Sequence, residues 1–127
     1  MVLPLLESDL LTVMRACTDG TLAETEVKFA SKHACCVILA SSGYPQSYKK
    51  GFPMTFTPEA LEHTYIAGAK LENGVLLTNG GRVTGTTAIA SSLEEAIREA
   101  YRISDGVQFE NAYRRSDIGQ RALQALK

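Results

Sequence analysis

"LENGVLLTNGGRVTGTTAIA", residues 71–90, decides how the rest of this chain is read. It is rich in Val, Leu, Ile and Thr and carries two charged residues, Glu72 and Arg82. Such composition is strand-forming. Asn73-Gly74 supplies a type I′ turn, which needs positive φ at both central residues. The segment is therefore predicted to be a meander: a hairpin of Thr64–Lys70 with Val75–Thr78, followed by a third strand over Arg82–Ile89. The second break, Asn79-Gly80-Gly81-Arg82, has two compatible readings. Paired glycines bend a strand into a bulge. They also let a ligand approach the backbone, where free N–H groups and a neighbouring guanidinium take a phosphate or carboxylate.

C-terminal to this core, Ser91-Ser92 predicts a helix cap, with Glu94 and Glu95 placed to favour the helix N-terminus. The apolar face of that helix is Leu93, Ala96, Ile97, Ala100 and Ile103, and Asp105-Gly106 ends it. Val107–Phe109 is predicted as a short strand, and Asp117–Leu126 as a final helix with Asp117 as its N-cap. The basic pair Arg114-Arg115 reads as surface charge. On the N-terminal side, "ACCVILAS", residues 34–41, is continuous and apolar, the pattern of a strand buried on both faces. Val27–Ala30 is predicted as its short partner. Ser8 or Asp9 caps a helix over 9–18 that Asp19-Gly20 terminates through a left-handed residue. The "SGYPQSYKKGFP" stretch between is loop, and Pro58-Glu59 starts a short helical turn. Strands grouped together with helices at the ends mean an α+β fold with a mostly antiparallel sheet.

At 127 residues the chain is one domain, or one domain with an appendage. A net charge of −1 and no Trp fit neither a nucleic-acid nor a membrane-surface protein. The longest apolar run, Ala34–Ala40, is too short to span a bilayer. Met-Val-Leu-Pro-Leu-Leu at the start lacks the basic flank of a signal peptide, so a cytoplasmic protein is expected. An apolar start is also the expected mark of a chain shortened upstream. Cys17, Cys35 and Cys36 read as buried, reduced thiols; Cys35 and Cys36 face opposite sides of one strand and have no metal-ligand spacing. His33 and His63 lack acidic partners and read as surface residues. No hydrolase, zinc or complete phosphate-loop motif is present. The remaining candidates for binding lie in "GYPQSYKKG", where Tyr48 and Lys49 are candidate lip residues over a ligand and Lys50 reads as solvated.

Four stretches in order, "VLPLLESDLL", "VILASSGYPQSYKKG", "AGAKLENGVLLTNGGRVTGTTAIASSLEEAIREAY" and "FENAYRRSDIG", resemble the C-terminal domain of phosphoribosylamine–glycine ligase, also called glycinamide ribonucleotide synthetase, an ATP-grasp enzyme of purine synthesis. The resemblance covers nearly the whole chain. It departs at Ile66 and Ala69, where the family usually has His and Thr, and at Asn111, where it usually has Gly. It implies a barrel-sandwich-like domain over 31–127 preceded by the end of the ATP-grasp core over 1–30. It implies a ligase that joins glycine to 5-phosphoribosylamine with ATP and magnesium or manganese, the metal and nucleotide held by portions of the polypeptide upstream of this chain. By that resemblance this chain carries no catalytic residue and no metal ligand, binds no cofactor and is inactive alone. It acts as an active-site wall with Gly80, Gly81 and Arg82 toward the phosphoribosyl phosphate. A non-enzymatic anion- or nucleotide-binding module and a purely structural docking domain are the alternatives.

Overall fold

The computed structural model describes residues 1–126. Its centre is an antiparallel pair of nine-residue strands, β1 (His33–Ser41) and β6 (Arg82–Ala90), in register from His33 opposite Ala90 to Leu39 opposite Thr84. β3 (Thr64–Ile66) extends the sheet beyond β6, and β8 (Ala112–Tyr113) beyond β1, giving the order β3-β6-β1-β8. Two separate ribbons flank it: β2 (Thr55–Phe56) with β7 (Val107–Gln108), and β4 (Ala69–Glu72) with β5 (Val75–Thr78). Every strand pairing is antiparallel, and the sheet stays open. With its helices this is an α+β domain, as expected.

The Asn73-Gly74 turn forms as predicted, with φ of 50° and 79° and Glu72 opposite Val75. The meander does not. β5 pairs with β4 and, through a bridge at Leu77, with Pro53, and not with β6, which turns back to pair with β3. The cause is a break at Ala67-Gly68, where both N–H groups donate to the single carbonyl of Val83 (3.0 Å each). That carbonyl is free to take both because β6 bulges there: Leu39 faces Thr84 but Ala40 faces Arg82, leaving Val83 as the extra residue. The bulge therefore lies at Val83 and not at the glycine pair expected to form it, which sits before β6 begins.

α3 (Leu93–Ser104) is capped by the Ser92 hydroxyl, which accepts from the Glu95 N–H (3.2 Å). Its apolar stripe of Ala96, Ile97, Ala100 and Ile103 packs on Cys35, Val37, Leu39, Val83 and Ala88 of the sheet. Burying an Ile in this way is worth about 1.5–3 kcal/mol relative to leaving it in water. α2 (Pro58–Glu62) begins with Pro at its first turn and Thr57 as N-cap. α1 (Leu10–Asp19) starts at Asp9, whose carboxylate accepts from the Thr12 N–H (2.8 Å), and ends at Gly20 in the left-handed region.

Several expectations are corrected. Only one face of β1 is buried: Cys35, Val37, Leu39 and Ser41 lie under α3, while Cys36, Ile38 and Ala40 on the other face are half-buried. No strand forms over 27–30; Phe29 makes a lone bridge to Leu6. α4 runs Gln120–Ala125 from Gly119, whose φ is 85°, and has no side-chain cap. Asp117 instead holds Arg115 through two hydrogen bonds (2.8 and 2.6 Å). Arg114 is no free surface charge, since it is bonded to Tyr101, Ser104 and Asp105. Cys17 is exposed, because α1 buries only Ala16.

Candidate functional site

The half-buried face of the sheet carries the candidate site. Cys36 and Ile38 of β1 and Gly85 of β6 form a shallow floor, over which a cleft of about 610 Å³ opens. Tyr44 and Tyr65 stand in its wall, and Arg82 at its rim. A second depression of about 480 Å³ shares Cys36, Ile38, Tyr44 and Arg82 and continues to Pro45, Tyr113 and Arg115. The two form one trough across the sheet, with Arg82 and Tyr44 common to both halves.

Each position follows from the local backbone. Arg82 is the first residue of β6, opposite Ala40 on the open face, and the bulge at Val83 follows it. It is exposed, and among the described residues its guanidinium has no ion pair. The two glycines before it are required by close approach. A Cβ on Gly81 would come within 2.0 Å of the Tyr44 ring, so the ring lies directly on its backbone. A Cβ on Gly80 would come within 2.8 Å of the Gly68 Cα. Their carbonyls are fixed by Ser41: its N–H donates to Gly81 (2.8 Å) and its hydroxyl to Gly80 (3.0 Å). Their own N–H groups have no backbone partner among the described residues. The glycine pair thus does structural work, packing on Tyr44 and Gly68, while the Arg82 guanidinium beside it is suited to an anion.

Of the sequence candidates, Gly81 and Arg82 line the cleft and Gly80 lies behind it against Gly68. Tyr48 and Lys49 do not line it. Tyr48 packs edge-on against Tyr44 with centroids 6.0 Å apart, and the Lys50 ammonium sits 5.6 Å over its ring. The loop therefore delivers Tyr44, supported by Tyr48, to the site. Sequence reasoning missed Tyr65, Cys36 and the β6 threonines. Alternation along β1 was the available signal for Cys36, since its neighbour Cys35 faces the core. Burial, and then the adjacent Cys36, raise the Cys35 thiol above its ordinary pKa. His33 and His63 are exposed, as expected. Among the described residues no three His, Cys, Asp or Glu side chains cluster in a way that holds a metal ion. No helix among them is long and apolar enough to cross a membrane.

Comparison with known proteins gives this arrangement a family. The chain is 45% identical over 124 residues to a bifunctional purine biosynthetic protein of Pichia angusta, a match covering 95% of this chain and 16% of that protein. It is 42% identical over 118 residues to the phosphoribosylamine–glycine ligase of Caldanaerobacter subterraneus, covering 92% of this chain and 28% of the ligase. The crystal structure of phosphoribosylamine–glycine ligase from Thermotoga maritima superposes with a TM-score of 0.69 at 32% identity, over 83% of this chain and 27% of that one. The chain thus spans less than a third of the length of these relatives. The family model described as phosphoribosylglycinamide synthetase, C domain, matches residues 34–121, from the second residue of β1 into α4. That span contains the sheet except for His33, together with Tyr44, Tyr65 and Arg82 of the trough, and the chain belongs to the phosphoribosylglycinamide synthetase C-domain family.

Proposed function

We propose that this chain is the C-terminal part of a ligase that joins glycine to 5-phosphoribosylamine at the expense of ATP, giving glycinamide ribonucleotide, ADP and phosphate in purine synthesis. Its open sheet face is the wall of the active site, and Arg82, next to the Gly80-Gly81 backbone, receives the phosphate of the phosphoribosyl substrate. The observation that carries this reading is an unpaired guanidinium at the centre of a trough lined by aromatic and apolar groups. A guanidinium binds phosphate through two parallel hydrogen bonds, and an apolar surround strengthens them.

Transfer of the ATP γ-phosphoryl group to the glycine carboxylate needs a divalent cation, magnesium or manganese, to neutralise charge. Among the described residues no three His, Cys, Asp or Glu side chains gather, so these residues do not fit such an ion. Nucleotide, metal and chemistry are accordingly assigned to the rest of the ligase polypeptide, which is also the partner of this domain. Residues 1–30 are read as the end of that ATP-grasp core. In support, Leu11 and Met14 on α1 are 64% and 59% exposed, an apolar surface suited to packing on it. The two small substrates meet this domain from the cleft, and the compartment is the cytoplasm.

The test is Arg82→Ala in the intact ligase. The apparent KM for phosphoribosylamine is expected to rise roughly ten- to a hundredfold, as for loss of one charge-assisted pair, with the glycine KM unmoved. Unchanged kinetics reject the phosphate assignment. The 127-residue chain alone is expected to neither hydrolyse ATP nor ligate, and turnover by it rejects the division of labour.

A further inference from the structure

Arg82 borders two depressions, and the one on the β8 side has its own chemistry. Tyr113 of β8 and Arg82 of β6 both stand opposite Ala40 of β1, one from each side, and all three line this depression of about 480 Å³. Two strand spacings put the backbones of Tyr113 and Arg82 about 10 Å apart. Between them stands only the methyl group of Ala40. Ile38, two residues back on β1, continues the floor, and Tyr44 and Pro45 wall the side. Tyr113 is 54% exposed and Tyr44 41%, so both rings are accessible to a ligand. A volume of this size is in the range of small-molecule sites.

Three guanidiniums border the depression, and their charges are differently spent. Arg114 donates to the Asp105 carboxylate (2.6 Å) and Arg115 to that of Asp117 (2.6 Å). Arg82 has no carboxylate partner among the described residues. One uncompensated positive charge suits one phosphate group; a triphosphate would bring its further charges to guanidiniums already neutralised. Away from these groups the lining is apolar and aromatic. A flat heterocyclic ring gains most there, because an aromatic side chain stacks on the face of any base.

We propose that the β8 half of the trough binds a nucleoside 5′-monophosphate, its phosphate on Arg82 and its base over Ala40 against Tyr113. This rests on the assignment of Arg82 to phosphate made above and adds a second class of ligand to that group. Because both halves share Arg82, the nucleotide and the phosphorylated sugar exclude one another.

The experiment titrates the 127-residue chain with AMP, ribose 5-phosphate and adenosine, by calorimetry and by NMR. AMP is expected to bind more tightly than either of the others and to be displaced by ribose 5-phosphate. The ring current of a base seated over Ala40 is expected to shift its methyl signal with AMP and not with ribose 5-phosphate. Tyr113→Ala is expected to weaken AMP roughly fivefold or more, as for loss of one aromatic–base stack, with ribose 5-phosphate binding and Tm unchanged. Tyr113→Phe keeps the ring and is expected to keep the affinity. If Tyr113→Ala binds AMP as the parent does, or AMP binds no tighter than ribose 5-phosphate or adenosine, the inference is overturned, while loss of both phosphorylated probes in Arg82→Ala leaves the phosphate assignment standing. If Arg82→Ala binds both of them normally, or the parent binds neither at the highest soluble concentration, both assignments fall.

Discussion

Arg114 donates to the Tyr101 carbonyl (3.2 Å), to the Ser104 hydroxyl and to the Asp105 carboxylate (2.6 Å), and its guanidinium lies 5.1 Å from the Tyr101 ring centre. It locks the end of α3 to the chain that follows. Tyr101 completes the lock, donating to the Arg115 carbonyl (2.6 Å) and accepting from the Ile118 N–H (3.0 Å). Arg114→Ala is expected to cost roughly 1.5–3 kcal/mol in urea unfolding, the range for hydrogen bonds to a charged group. Arg115→Ala, which removes a surface pair with Asp117, is expected to cost clearly less by the same measurement. The three cysteines differ as their surroundings do. Iodoacetamide labelling near pH 8 is expected to reach Cys17 first and Cys35 last. Cys17 is exposed, whereas Cys35 is buried and held as the thiol by a raised pKa. Equal labelling of Cys35 and Cys17 would contradict this placement.

At the scale of elements, one contact decides where the strands go. Gly68 and Gly80 meet backbone to backbone, and a Cβ on Gly68 would lie 2.4 Å from the Arg82 carbonyl oxygen and 2.8 Å from the Gly80 Cα. Both obstacles are main-chain atoms, with no flexible side chain to yield. The Asn79 N–H donates to the Gly68 carbonyl (2.7 Å) in the same place. This crossing separates the β4–β5 ribbon from the main sheet and sets the bulge that carries Arg82. Gly68→Ala is therefore expected to destabilise by about 1–3 kcal/mol, the cost of overpacking, and to weaken phosphate-ligand binding together with stability. Gly74 has open space around it but sits at φ 79° in the ribbon turn. Its requirement is one of backbone angle, while that of Gly68 is one of volume. The sequence displays both simply as glycine. The Asn-Gly turn was legible because its chemistry is local; the Gly68–Gly80 crossing joins residues 12 apart and has no local signature. For the same reason β1 was readable as a strand, but not the exposure of its second face.

For the whole molecule, charge ties helices together across the surface. The Arg102 guanidinium bonds Glu99 within α3 (2.7 Å) and Glu59 of α2 (3.0 Å). Hydrogen bonds from Arg102 hold both carboxyls below the ordinary glutamate value of 4.5. The Arg115 hydrogen bonds lower Asp117, and Thr12 lowers Asp9, below 3.8. With these pKa values depressed in the folded state, the unfolded chain takes up protons first as pH falls. The stability they contribute is complete above the unfolded values and is lost on the way down through the folded ones. The urea midpoint is expected to be flat with respect to these groups above about pH 5.5 and to decline below pH 4.5, and Arg102→Ala to flatten that decline. A decline that Arg102→Ala leaves as steep removes Glu59 and Glu99 from its cause.

Local chemistry let the sequence determine the elements. Apolar runs, the Asn-Gly turn, the Asp9 and Ser92 caps and the face of α3 each depend on residues within a few positions of one another, and together they fixed an α+β, antiparallel domain. On the same ground the Gly-Gly-Arg stretch offered a candidate place for an anion, which the Arg82→Ala variant tests. The tertiary structure alone decided which strands pair, that one sheet face stays open, that Tyr44 rather than Tyr48 reaches it, and that Thr84 and Thr87 are buried without partners. Those facts depend on which distant backbones can approach closely enough to touch, and a close approach is a property of two segments at once.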